Sequence, residues 1–132
     1  MAWIRRSFNV PAEWEGRRVI LHFEAVAGDC SVYVNGECVG SHFENHLPFE
    51  IDVTGSVKYG QDNVILLGLR HHKLFDIRHA DYPYMGATYP TGSNTDDLLG
   101  PWQDIFLEAV PEVSIEGGYV LLTPPAGLFE LN

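Results

Sequence analysis

The dipeptide Asn35-Gly36 constrains the fold more than any other feature, because it stands between two short runs rich in Val and Tyr. Asn-Gly suits the positive φ angles of a two-residue type I′ turn, so the sequence predicts a β-hairpin closed at this point. The turn also fixes the register of the two strands. The predicted pairs are Val34–Glu37, Tyr33–Cys38, Val32–Val39 and Ser31–Gly40, with Val32, Val34 and Val39 on a shared buried face.

Further strands are predicted on both sides of the hairpin from alternating or continuous apolar residues, at 3–10, 18–25, 47–54, 63–69, 102–109 and 113–116. Residues 11–16 predict a turn or a single helical turn with a buried Trp14, and residues 27–29 predict a break before the hairpin. No segment shows helical periodicity beyond one turn. Short strands separated by Gly, Pro and Asn therefore predict an all-β fold, an antiparallel β-sandwich or jelly roll.

Length and charge exclude several classes of protein. The 132 residues correspond to one domain, and 8 basic residues against 18 acidic ones give a net charge of −10. Nucleic acids and anionic membrane surfaces require clustered Lys and Arg, so neither is expected as a partner. No apolar run approaches the roughly 20 residues of a membrane span, and the N-terminus lacks a signal-peptide core. We expect a soluble protein, cytoplasmic or, if a leader has been removed, periplasmic or secreted.

The two cysteines, Cys30 and Cys38, are predicted to remain free thiols. Pairing through the Asn35-Gly36 turn places Cys30 opposite Ser41, and the two cysteines then lie on opposite faces of the ribbon, where their Cβ vectors diverge. Two cysteines with no histidine at ligand spacing are also too few for a zinc site.

Residues 70–100 differ from the rest of the chain. This segment holds three of the six histidines and three of the six tyrosines, and shows no sustained period of 2 or 3.6. Long irregular segments inside a compact domain are uncommon and tend to carry function. The segment is therefore the candidate binding loop.

Several short motifs occur in one order along the chain, including WIRRSFNVP at 3–11, WEGRRV at 14–19, VYVNG at 32–36, PFEIDVT at 48–54 and GPWQDI at 100–105. This series resembles the N-terminal sugar-binding domain of glycoside hydrolase family 2, the family of β-galactosidases, β-glucuronidases and β-mannosidases. The resemblance implies a galactose-binding-domain-like jelly roll over residues 1–116. It also implies that residues 117–132 are a C-terminal extension, the start of an immunoglobulin-like domain.

The family resemblance further implies partners that this chain does not contain: an immunoglobulin-like domain and an (α/β)8 barrel that carries two catalytic glutamates. We therefore expect carbohydrate as the ligand and no glycosidase activity from this chain by itself. Two alternatives stay open at this point. One is a free-standing carbohydrate-binding module, and the other is a structural spacer or assembly domain without sugar affinity.

By the same resemblance, the candidate loop supplies groups to the sugar site. The polar candidates are Asp76, Asn94, Asp96 and Asp97, and the aromatic candidates, which can stack on a pyranose face, are Tyr82, Tyr84, Tyr89 and Trp102. The competing interpretations are a solvated acidic loop, aromatic rings that close the sandwich, and Trp102 as a core residue.

Histidines and carboxylates in the same loop could suggest a metal site made from His71, His72 and His79 with Asp76 and Asp81. Adjacent residues of a strand face opposite ways, so His71 and His72 cannot both bind one ion without a bend in the strand. No catalytic metal or other cofactor is expected, although acidic loops leave open a structural calcium or sodium ion. His42 and His46 are predicted to be hydrogen-bonded polar residues of a loop.

Overall fold

The computed structural model describes residues 1–43, 46–71, 98–111 and 113. Within this part of the chain the regular elements are nine strands and one 3₁₀ turn, Ala12–Trp14. The strands are β1 (Ala2–Val10), β2 (Arg18–Phe23), β3 (Val26–Ala27), β4 (Asp29–Val34), β5 (Glu37–Phe43), β6 (Phe49–Asp52), β7 (Gln61–Arg70), β8 (Gly100–Pro101) and β9 (Ile105–Val110).

The strands form two main sheets, with every pair of named strands antiparallel. One sheet has the order β1-β7-β4-β5 and the other β6-β2-β9, while β3 and β8 form a separate two-stranded ribbon. The two sheets contribute opposite sides of one apolar core. The all-β antiparallel sandwich predicted from the sequence is confirmed.

Alternation along the strands explains the core. Val19, Leu21 and Phe23 are alternate residues of β2 that share one face, and all three are at most 3% exposed. Facing them from the other sheet are buried residues of β4 and β7: Cys30, Val32, Val34, Ile65, Leu67 and Leu69. Phe23 also stacks on Phe49 of β6, with ring centroids 4.4 Å apart.

The hairpin forms at the predicted turn, and Asn35 and Gly36 have φ angles of 51° and 90°. The first two predicted pairs, Val34–Glu37 and Tyr33–Cys38, are confirmed. The next two are wrong, because a β-bulge shifts the register by one residue and brings Val32 opposite Gly40 and Cys30 opposite His42. The bulge puts a glycine where β6 approaches: a Cβ on Gly40 would lie 2.8 Å from Cδ1 of Ile51.

Several predicted element bounds and burials are corrected by the structure. The strand predicted to begin at Trp102 begins at Ile105, and His42 lies in β5 rather than in a loop. Trp14 is half-buried at the end of the 3₁₀ turn instead of fully buried. The prediction for 113–116 falls mostly outside the described residues, and so does the extension 117–132.

Both cysteines are free, as predicted. Cys30 is buried in the core and Cys38 is exposed, so the two thiols differ in environment. Burial, with a smaller contribution from the charge of Asp29, raises the pKa of Cys30 to about 12. Since only the thiolate is a strong nucleophile or metal ligand, we expect Cys30 to be unreactive in the folded protein.

A buried asparagine holds the hairpin turn onto β7. Asn63 is 0% exposed. Its Oδ1 accepts hydrogen bonds from the backbone N–H of Lys58 at 2.7 Å and from Nδ2 of Asn35 at 2.8 Å. Its Nδ2 donates to the carbonyl oxygens of Lys58 at 2.8 Å and Gln61 at 3.0 Å. Every hydrogen-bonding position of a buried amide is thus used, as burial of a polar group requires.

The same turn is fixed from the other side by its own asparagine. Asn35 Oδ1 accepts from the backbone N–H of Val64 at 3.0 Å, and Asn35 Nδ2 also donates to the carbonyl oxygen of Ser56 at 2.8 Å. The dipeptide that shapes the turn therefore also connects it to the sheet.

In the described part of the chain, no helix is long and apolar enough to cross a membrane.

Candidate functional site

Only one of the eight predicted sugar-binding residues lies in the part of the chain that the structure describes. That residue is Trp102; the other seven, Asp76, Tyr82, Tyr84, Tyr89, Asn94, Asp96 and Asp97, lie outside the described residues. Their roles remain predictions. His72, His79 and Asp81 also fall outside. Among the residues that are described, no three His, Cys, Asp or Glu side chains come together as a metal site.

The chain segment around Trp102 is anchored to the ribbon that caps the sandwich. Gly100 and Pro101 of β8 pair with Ala27 and Val26 of β3. Next to this ribbon, the backbone N–H of Trp102 donates to the carbonyl oxygen of Ala25 at 3.3 Å. Two residues later, the carbonyl oxygen of Asp104 accepts from Glu24 at 3.0 Å. Four points of backbone contact within five residues hold Trp102 in a defined place.

Gly100 makes this path of the chain feasible. Its φ angle is 97°, a conformation that side chains of L-residues rarely adopt. A Cβ there would also lie 3.1 Å from Cδ1 of Leu69 and 3.4 Å from Cδ1 of Ile4. The chain therefore passes close over the core at Gly100 and turns outward before Trp102.

Trp102 is exposed rather than a core residue, with 42% of its surface open to solvent. Val26 and Leu69 fill the core beside this segment, and the backbone contact with Ala25 leaves the indole outside. His46 meets the indole edge-on, with ring centroids 5.9 Å apart. The interpretation of Trp102 as a core residue is wrong, and its placement fits a residue that contacts a ligand or partner.

A cleft of about 620 Å³ opens beside this segment, between the inner sides of β1 and β9. These two strands end their respective sheets, so no described strand closes the sandwich along this side. On the opposite side, Ile51 of β6 packs against Gly40 of β5 and closes the gap. The cleft volume lies within the range of about 300–1,000 Å³ typical of small-molecule sites.

The cleft has an apolar floor and a polar rim. The floor consists of Ile4, Phe8, Leu21, Ile65, Leu67, Ile105 and Leu107, and the polar lining residues are Arg6, Ser7, Gln103 and Asp104. Ile4 and Phe106 remain 41% and 38% exposed. An apolar surface with a few polar groups at its edge suits either a ligand or a docked protein element. Sequence reasoning missed this cleft, because no pattern within β1 or β9 reveals that they lie across from each other.

The outer face of the three-stranded sheet beside the cleft carries paired polar side chains. His22 Nδ1 lies 3.0 Å from Glu50 Oε1, and the His22 ring stacks on Phe106 with centroids 4.5 Å apart. Further along, Arg18 Nε donates to Asp52 Oδ2 at 3.1 Å. A hydrogen bond from the Thr54 hydroxyl, aided by the Thr54 backbone N–H and by Arg18, lowers the pKa of Asp52. These contacts tie neighbouring strands together.

Together, the fold and the cleft define a class of protein: an antiparallel β-sandwich with a cleft between the edge strands of its two sheets. The same fold occurs in a glycosyl hydrolase family 2 member from Bacteroides cellulosilyticus, with a TM-score of 0.61 and 21% identity over 83% of this chain and 13% of that one. The chain belongs to glycoside hydrolase family 2, since residues 1–91 match the profile described as "Glycosyl hydrolases family 2, sugar binding domain".

Two curated relatives complete the comparison. The chain is 32% identical over 125 residues to a β-galactosidase from Thermoanaerobacter pseudethanolicus, covering 92% of this chain and 15% of that enzyme. A stretch of 36 residues, 27% of the chain, is 58% identical to the ribosome maturation factor RimM of Paenarthrobacter aurescens and covers 18% of it. The latter match is too short to assign a family. The chain thus spans about one seventh of the β-galactosidase it matches.

Proposed function

We propose that this chain is the non-catalytic sugar-binding domain of a family 2 glycoside hydrolase. In this role it packs against a catalytic (α/β)8 barrel and contributes Trp102, with residues of the 76–97 segment, to the edge of the sugar site. The observation that carries the proposal is the anchored and exposed Trp102 in a chain that matches the family's sugar-binding domain. An indole held by backbone contacts can stack on the apolar face of a pyranose.

The cleft supports a docked domain over a free-standing binding module. A domain separated from its neighbour exposes the apolar surface that the neighbour covers, whereas an independent module keeps such patches small. Ile4 is exposed at a cleft whose floor is apolar, and Phe106 is exposed beside the cleft on the outer face of β9. A barrel or an immunoglobulin-like domain that inserts apolar side chains here would bury them and bring Trp102 to the shared boundary.

Catalysis in this proposal belongs to the barrel. Retaining glycoside hydrolases use two carboxyl groups about 5 Å apart, one as nucleophile and one as acid and base. By the family resemblance both are glutamates of the barrel. The present domain supplies positioning of the sugar and needs no cofactor for that role.

Two measurements test the proposal. The purified chain is expected to release no nitrophenol above background from 4-nitrophenyl β-galactoside, β-glucuronide or β-mannoside, and genuine turnover would contradict it. A chimera in which the chain replaces the matched part of the T. pseudethanolicus β-galactosidase tests Trp102. There, Trp102→Ala is expected to lower kcat/KM by about tenfold, corresponding to about 1.4 kcal/mol of lost stacking. Leu47→Ala, another exposed apolar residue, serves as the control.

A further inference from the structure

The outer face of the four-stranded sheet carries an aromatic side chain that the cleft and Trp102 do not explain. Leu67 and Leu69 of β7 point into the core, so Gly68 between them faces outward. Trp3 of β1 lies opposite Gly68 in the sheet register. A Cβ on Gly68 would lie 2.7 Å from Cζ3 and 2.9 Å from Cη2 of Trp3. The six-membered ring therefore rests directly against the Gly68 backbone, and 57% of the Trp3 surface remains open to solvent.

Hydroxyl groups continue the row that Trp3 begins. Ser31 of β4 pairs with Gly68, and Ser41 of β5 pairs with Ser31, so both share the outward face with Trp3. Tyr33, two residues after Ser31, brings its ring to 6.1 Å from that of Trp3 at an angle of 50°. The strand geometry thus places two aromatic rings and two aliphatic hydroxyls on one surface.

A cation completes this surface. Arg5 lies two residues after Trp3 on the same face of β1, and it pairs with Leu66 of β7. Tyr33 of β4 pairs with Leu66 from the opposite side of β7. Arg5 is exposed and makes no hydrogen bond or ion pair with any described residue. At the other end of the face, by contrast, the guanidinium of Arg70 is occupied by Asp29, with Nε 2.6 Å from Oδ2. The Trp3 face, made of Trp3, Arg5, Ser31, Tyr33 and Ser41, therefore presents one guanidinium that is not used within the described structure.

The chemistry of the Trp3 face matches an acidic sugar. A pyranose ring has an apolar C–H side that stacks on indole, and hydroxyls at its rim that bond Ser and Tyr hydroxyls. A carboxylate on the sugar fits the planar fork of Arg5, which can donate two parallel hydrogen bonds. The net charge of −10 does not prevent this contact, because charges beyond about 8 Å are largely screened at physiological salt.

A protein partner fits the same face less well. Binding hot spots in protein interfaces lie in pockets surrounded by contacts that exclude water. Trp3 instead stands on an open sheet surface, and its neighbours across the sheet are a glycine and two serines. A purely structural role for Trp3, in which the indole covers Gly68, explains only the side of the indole that contacts the sheet. It does not explain the exposed side of the indole or the neighbouring Arg5.

We propose that the Trp3 face is a second carbohydrate site, which binds an oligosaccharide containing uronic acid units. One pyranose ring stacks on Trp3 while a carboxylate pairs with Arg5. The site is separate from the cleft and from Trp102, and it does not require a catalytic barrel to complete it.

The test is a titration of the full 132-residue chain, labelled with ¹⁵N, with trigalacturonic acid and with neutral cellotriose at about 0.15 M salt. The indole N–H signals of Trp3, Trp14 and Trp102 report on three separate places. Trigalacturonic acid is expected to shift the Trp3 signal in a saturable manner and to leave those of Trp14 and Trp102 unchanged. Cellotriose is expected to bind several-fold more weakly.

Variants separate binding from the covering of Gly68. Trp3→Leu keeps an apolar side chain over Gly68 and is expected to weaken trigalacturonic acid binding by about tenfold, while Trp3→Phe keeps most of the affinity. Arg5→Gln, a surface change that does not threaten folding, is expected to reduce the affinity for trigalacturonic acid to that for cellotriose.

The inference would be overturned by no shift at Trp3 with either sugar, by equal affinity for the acidic and neutral sugars, by unchanged affinity in both Trp3→Leu and Arg5→Gln, or by broadening of the Trp3 signal with protein concentration alone. The last would assign the face to a second copy of the chain. A shift confined to Trp102 would also overturn the inference, while supporting the proposed function at the cleft.

Discussion

Replacing Asn63 should show how much of the fold depends on one buried amide. Its side chain makes four hydrogen bonds, at 2.7, 2.8, 2.8 and 3.0 Å, to Lys58, Asn35 and Gln61. Asn63→Leu keeps the number and branching of the heavy side-chain atoms and opens no cavity, so the effect reports the lost polar contacts together with the fit of a larger side chain. The Lys58 backbone N–H and two carbonyl oxygens then lose their partners beside an apolar side chain.

The expected cost follows from the number of groups left without partners. A buried donor without a partner costs about 1–3 kcal/mol, and the net loss of an ordinary hydrogen bond is about 1 kcal/mol. In Asn63→Leu, one backbone donor and two carbonyl oxygens with partial access to water lose their partners. Their summed cost is expected to lower the free energy of unfolding by about 3–4 kcal/mol. That is a large share of the roughly 5–15 kcal/mol that stabilises a typical domain.

The assay is urea unfolding followed by tryptophan fluorescence, with the midpoint and slope compared between variants. Asn9→Ala, an exposed asparagine on β1, is the matched control and should change stability by no more than about 0.5 kcal/mol. Asn35→Gly keeps the positive φ of the turn but removes the bond to Asn63, so its effect and that of Asn63→Leu should not add. A loss below about 1 kcal/mol in Asn63→Leu, or full additivity with Asn35→Gly, would refute this account.

Three further predictions concern separate parts of the fold. Gly28→Ala should destabilise the domain by about 3 kcal/mol, because the residue has a φ angle of 94° and its Cβ would lie 2.6 Å from the carbonyl oxygen of Arg70. The control in thermal unfolding is Gly55→Ala, because a Cβ on Gly55 would meet nothing within 4 Å. In the native protein a thiol reagent should modify Cys38 alone, because Cys30 is buried and its pKa is raised to about 12. Cys30 should react only in denaturant, and rapid reaction of two thiols in buffer would contradict this. Hydrogen bonds from Thr54 lower the pKa of Asp52 below its ordinary value of 3.8, so its contribution to stability is present above that pH and is lost as the pH falls through the lowered pKa. Asp52→Asn should therefore flatten the acid limb of a stability–pH profile, and an unchanged limb would count against the assignment.

Local sequence signals determined a large part of the architecture. Asn35-Gly36 specified the turn, because few residues other than Gly and Asn adopt positive φ at little cost. The alternation Val19, Leu21, Phe23 specified which side of β2 is buried, and the order of small motifs indicated the family that the profile match establishes. The turn and the alternation are each contained within a few consecutive residues, whereas the order of motifs extends along most of the chain.

The candidate site was only partly predictable. Trp102 was named from its motif, but whether its indole is buried depends on what fills the core beneath Gly100, and Val26 and Leu69 come from distant parts of the chain. The cleft likewise arises because β1 and β9 end different sheets, which neither strand encodes alone. The seven other candidates fall outside the described residues and stay predictions.

The turn, the strands, the free thiols and the family were predictable from the sequence alone, since they follow from backbone preference, period-2 alternation and the order of short motifs. The bulge opposite Val32, the exposure of Trp102, the cleft between β1 and β9 and the surface around Trp3 became evident only in the folded chain. These features depend on how side chains from different strands pack against one another. Ile51 against Gly40 and Trp3 against Gly68 are contacts whose partners meet only when the sheets assemble.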